Sequence, residues 1–155
     1  MTGLRRAGAA ALVACLGVGA CGPEHEFEPP DREEQVAEAD TLFSAAVFDT
    51  LTWPSDEARA LEGNVVYSSR CRQCHGPLGR GGTDYATERD LDVSSLVEPG
   101  WEYADDPDGV RRRIFAGHPE GMPTFGVAGI TPREIDATAF YILERLRPEV
   151  LGEGG

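Results

Sequence analysis

The densest chemistry in the chain is Cys71-Arg72-Gln73-Cys74-His75, two thiols separated by two residues with an imidazole directly after the second. Thiols at that spacing suit addition across the two vinyl groups of one haem, and the adjoining histidine is then held under the iron as its proximal ligand. Three other chemistries use the same atoms. A zinc site needs two further donors, and only His118 and His25 remain, without the second paired set that such sites carry. A redox dithiol expects a preceding strand, where the periodicity here predicts a helix. A plain disulfide has no use for His75. The motif by itself leaves these alternatives open.

A second soft donor stands far along the chain. Met122 is the only methionine besides Met1, and it lies in Gly117-His118-Pro119-Glu120-Gly121-Met122-Pro123. The glycines and prolines predict an extended loop, where a thioether is poorly explained as a core filler. It is well explained as a neutral axial ligand that favours ferrous iron. His118, four residues earlier, is the rival donor.

These groups need helices to hold them. Ser55 followed by Asp56 and Glu57 is an N-cap with acids in the first turn, and Ala58, Leu61, Val65 and Ser68 follow at spacings of 3, 4 and 3. That predicts a helix to about Ser69, ending at the cysteine motif. Residues 76–106 read as loop, rich in Gly, Asp and Ser. Asp106-Pro107 opens a second helix, closed by Gly117. Thr131 with Glu134 three residues later is a capping box for a third, whose face is Ile135, Ala139, Ile142 and Leu146 and whose expected stop is Pro148. No segment reads as a strand and there is no internal repeat. The expected class is all-α.

Taken together, residues 56–147 resemble a class I monohaem cytochrome c. The resemblance rests on Gly63, Tyr67 and Cys71 at intervals of four, on the haem motif, and on Gly117 to Met122-Pro123 matching G-x-x-x-x-M-P. It implies three to four helices around one covalently attached haem c, with thioethers at Cys71 and Cys74, His75 as proximal and Met122 as distal iron ligand. It also implies a close crossing of the first and last helices at Gly63 and Tyr67, with Ala139, Phe140, Tyr141 and Ile142 as candidates opposite. One departure stands out. The proline whose carbonyl orients the proximal histidine in many members is missing, since Pro77 comes too soon and Pro99 is next. Another carbonyl must do this. Arg112 and Arg113, within the run Arg111-Arg112-Arg113, are either a solvated helix face or partners for a haem propionate. Trp101, and Tyr103 beside it, stand where such proteins place aromatics near the propionates.

The N-terminus reads as an address. Arg5 and Arg6 precede an uncharged run from Ala7 to Ala20, too short to span a bilayer. Val18-Gly19-Ala20-Cys21 resembles the lipobox of bacterial lipoproteins, so residues 1–20 are expected to be a signal peptide and Cys21 a lipid anchor. Residues 21–54 are expected to be an acidic membrane tether, with nine acids and one arginine, Arg32, after Cys21. As a coil it would span roughly 30 Å. Val36, Ala39, Phe43 and Val47 mark a short amphipathic helix within it, which either packs on its own domain or docks a partner. Residues 55–148 form the cytochrome c domain and 149–155 a C-terminal tail.

Charge bounds the partners. The net charge is −13, and loss of Arg5 and Arg6 with the leader leaves 12 arginines against 27 acids, or −15. That excludes nucleic acid. The chain has no lysine, which excludes a lysine nucleophile or Schiff base. The expected function is a membrane-anchored electron carrier between respiratory complexes rather than an enzyme. It would have no small-molecule substrate, and its redox partners would present basic docking surfaces. It would be exported, in the periplasm or on the outer face of the cytoplasmic membrane. The alternative is a fixed haem-relay subunit of a dehydrogenase, quinol-oxidising or oxidase complex. A haem sensor would need an open sixth position, against which Met122 argues.

Overall fold

A computed structural model describes residues 28–152. The leader, Cys21 and His25 lie outside the described residues. Among those described, every regular element is helical.

Helix α1, Arg32–Leu42, starts from a capping box: the Asp31 carboxylate accepts from the Glu34 N–H at 2.9 Å and Glu34 accepts from the Asp31 N–H at 3.2 Å. A 3-10 turn, Ala45–Thr50, follows. Helix α2, Asp56–Val66, is capped by Ser55. It runs without a break through a π-turn, Tyr67–Cys71, into α3, Arg72–His75. After a short α4, Asp84–Thr87, come α5, Pro107–Ala116, and α6, Pro132–Tyr141, both with proline in the first turn. The last rod continues through a second π-turn, Ile142–Leu146, into α7, Arg147–Leu151. Pro148 therefore does not end this rod as expected. A π-turn re-spaces the hydrogen-bond ladder just where the proline would otherwise block it.

The rods α2 and α6 cross at Gly63. A Cβ added there would lie 2.0 Å from the Ala137 carbonyl oxygen and 2.7 Å from Tyr141 Cβ, so only a hydrogen lets the backbones approach this closely. Tyr67, one turn on, stacks at a tilt on Tyr141 with ring centroids 5.6 Å apart. Of the partners expected on the last helix, Tyr141 makes the contact. Ala137 makes it too, through its backbone, which no side-chain pattern signals.

A buried carboxylate ties four segments together. Asp136 is 2 % exposed. It accepts from Arg59 of α2 at 2.6 Å, from Arg111 of α5 at 2.7 and 3.0 Å, and from the Trp53 indole at 2.7 Å. Arg111 also reaches Asp108 at 2.6 Å. The two arginines are thereby matched by two carboxylates, the condition under which buried ions are tolerated.

The segment expected to be a tether is folded onto the domain from Asp31 onward. Ala39 is buried, Phe43 meets Phe115 edge-on at 5.8 Å, and Asp40 forms a paired ionic contact with Arg112, Nε to Oδ1 at 2.5 Å. That guanidinium holds the Asp40 carboxyl below its ordinary range. The expected face is corrected at its end. Val47 is exposed and Phe48 is buried in its place, because α1 stops at Leu42 and the 3-10 turn changes the phase. The segment stays put because its apolar side chains bury against α5 while its acids face water and arginine.

Candidate functional site

The cysteine motif ends a rod, and a helix end leaves carbonyls without partners. Here each one is met. The Arg72 carbonyl accepts from the Gly76 N–H at 2.9 Å, and that of His75 from the Gly81 N–H at 2.9 Å. The Thr83 hydroxyl reaches the Gln73 carbonyl at 2.8 Å and that of Cys74 at 3.3 Å. The buried Tyr67 hydroxyl donates to the Gly76 carbonyl at 2.7 Å. Gly76, at φ +77°, makes the turn that leaves the rod. The motif is thus clamped by residues on both sides of it. Thr83 is the clamp that sequence reading missed, and its only local signal is its cap position before α4.

Within this turn Cys71 is buried and Cys74 half-buried, and both thiols are free. Burial pushes the Cys71 thiol up to about 12 and raises that of Cys74 as well. Both are held protonated at neutral pH, the opposite of the activated thiolate of a redox dithiol. Burial also lowers the His75 imidazole, with the Ser94 backbone pulling the other way. His75 Nδ1 is buried without a hydrogen-bond partner, so no carbonyl within bonding distance orients the ring.

The distal loop closes on itself. The His118 N–H donates to the Met122 carbonyl at 3.0 Å and the Gly126 N–H to that of Phe115 at 3.0 Å. Gly117 sits at φ +80°, and a Cβ there would lie 2.5 Å from the Met122 carbonyl oxygen. The spacing from Gly117 to Met122 therefore has a steric cause: the chain doubles back so tightly that its first residue has no room for a side chain.

These two regions meet at one cavity of about 450 Å³. Cys71, Cys74, His75 and Met122 all line it, and so do Trp101 and Arg113. Its floor is apolar, with Val110, Ile114 and Ile142 from the buried core. Four acids, Asp92, Glu98, Glu102 and Glu120, also border it. Arg113 is steadied by the Tyr103 hydroxyl at 2.8 Å and the Gly117 carbonyl at 3.3 Å. Arg112 does not reach the cavity. Successive residues on a helix point about 100° apart, and Arg112 is turned outward onto Asp40, so its expected propionate contact is corrected. Arg111 goes to Asp136. His118 does line the cavity, but its Nδ1 lies 3.3 Å from the Glu120 carboxylate and from the Glu120 N–H.

The donor set fits a covalently held haem. It combines two protonated thiols, an imidazole beneath an apolar space, a thioether on a separate loop and a nearby guanidinium. Among the described residues no three His, Cys, Asp or Glu side chains converge as a metal cage.

Residues 58–142 match the family described as cytochrome C oxidase, cbb3-type, subunit III. The chain is also 30 % identical over 95 residues to the cbb3-type cytochrome c oxidase subunit CcoP of Rhodobacter capsulatus. That alignment covers 57 % of this chain and 30 % of the relative, so the chain corresponds to less than a third of the relative's length. No solved structure matches it.

Proposed function

The chain belongs to the family of cytochrome c oxidase, cbb3-type, subunit III, and from that premise we propose that it carries single electrons as an exported, membrane-anchored monohaem cytochrome with His75 and Met122 as axial ligands. The family brings with it a covalently bound haem c and a place in respiratory electron transfer. When bound, that group supplies a reversible one-electron couple. This chain's residues do the rest. Cys71 and Cys74 take the two thioethers. His75 is the proximal ligand, and Met122 is the distal one. Trp101 and Arg113 are the candidates for the propionates, and the apolar floor excludes water. Cys21 is the lipid anchor. The cytochrome domain is assigned to 55–148 and the tail to 149–155.

The observation that carries the reading is the convergence of Cys71, Cys74, His75 and Met122 on one cavity. Mass spectrometry of the exported protein should find haem joined through Cys71 and Cys74 and three acyl chains at Cys21. The ferric protein should show the weak long-wavelength band of Met–iron ligation, lost in Met122→Ala. If the wild type has no such band, and Met122→Ala leaves the visible spectrum unchanged, another group is the distal ligand.

The relative's printed name, an oxidase subunit, favours a second reading in which this chain is a fixed relay subunit of an oxidase complex. Co-purification with a terminal oxidase through detergent and salt would support it. Free exchange of electrons with several soluble partners would support the carrier.

A further inference from the structure

The family match begins at residue 58, yet the segment ahead of it touches both the distal loop and the last turn of α5, from which the loop departs. Arg32, the first residue of α1, donates from Nη1 to the backbone carbonyl of Met122 at 3.4 Å. Phe43, just past the end of α1, packs edge-on against Phe115 at 5.8 Å. Phe115 in turn bears on the loop: a Cβ at Gly126 would lie 2.1 Å from its ring, and its carbonyl accepts from the Gly126 N–H at 3.0 Å. Between these points the Asp40–Arg112 ion pair fastens α1 to α5, the helix from which the loop departs. The Met122 carbonyl thus has two donors, His118 from inside the loop and Arg32 from outside it.

We propose that the segment from Asp31 to Phe48 is a clamp on the distal loop, and that Arg32 is a positioning residue for Met122. The proposal rests on the reading of Met122 as distal ligand. The loop turns on glycines at positive φ, Gly117 at +80° and Gly121 at +124°, which give it little stiffness of its own. An outside grip on the carbonyl of Met122, and on the aromatic ring at the loop's other end, limits how often the loop swings away.

The test uses the full-length haem-loaded protein in its ferric form. Cyanide must displace the distal ligand to bind, so its binding rate reports loop opening. Arg32→Ala is expected to raise that rate about fivefold, the effect of losing one ordinary hydrogen bond. Arg32→Lys should return it towards the wild-type value, and Phe43→Ala should raise it independently. Trp53→Phe serves as the contrast. It loosens the stretch that follows the segment, at Asp136, so it should lower the melting temperature and leave the cyanide rate unchanged. A rate that stays at the wild-type value in both Arg32→Ala and Phe43→Ala overturns the clamp while the Met122 band still stands. A rate that rises in Trp53→Phe in step with lost stability also overturns it, since the effect is then general loosening. A wild type without the long-wavelength band removes the Met122 reading and the clamp together.

Discussion

Three arginines in a row look alike in one dimension and have three different fates in three. Arg111 is drawn inward by Asp136, Arg112 outward by Asp40, and Arg113 alone reaches the cavity. The difference follows from helical geometry and from which carboxylate each one meets. It also sets their expected effects on the redox centre. A positive charge beside the site disfavours the more positive ferric form. Arg113→Gln should therefore lower the reduction potential, by on the order of tens of millivolts. Arg112→Gln should move it much less, because that charge is exposed and already paired. A redox titration of both variants checks this, and a larger shift in Arg112→Gln would reverse the assignment. Cys71, Cys74 and His75 stood out as a group because their chemistry is written in contiguous letters. Thr83 did not, because a hydroxyl in a loop carries no mark of what it will meet.

The helices themselves were largely readable, since caps are local: Ser55, Asp106 and Thr131 each hydrogen-bond a backbone N–H three residues on. Both π-turns escaped notice. They depend on how the long rods fit each other, which no periodicity within one rod reports. The crossing of those rods makes a sharp prediction. Gly63→Ala places a methyl against the backbone of Ala137, which cannot rotate away. It should cost roughly 1–3 kcal/mol, read as a lower melting temperature. A variant as stable as wild type would mean that the rods can slide apart freely. The ionic knot at Asp136 predicts a larger loss. Asp136→Asn leaves Arg59 and Arg111 without their shared buried charge and should destabilise by about 3–5 kcal/mol, measured by denaturant unfolding. This effect should be nearly absent in Asp49→Asn, whose residue is exposed.

For the chain taken entire, the chief structural fact is that its core is built around a cavity. No disulfide joins Cys71 and Cys74, and Val110 and Ile114 of α5 and Ile142 of the last rod line a space of about 450 Å³. A domain this small has little burial to spare. A Cys71→Ser, Cys74→Ser variant expressed without haem should therefore lose cooperative melting and part of its helix, as followed by circular dichroism. Sharp melting at the temperature of the loaded protein would show that the helices sustain themselves.

The order of the donors, the caps and the class of fold followed from residues within a few positions of one another, where backbone geometry and hydrogen bonding leave few choices. The excess of acid over arginine was equally plain. What had to wait for the folded chain was every relation between distant segments: the docking of α1, the choice of Arg113 over Arg112 for the cavity, and the carboxylate shared by Trp53, Arg59 and Arg111. Each of these is a contact whose energy exists only after burial has brought its partners together, and solvent-exposed charge and buried charge are spelled with the same letters.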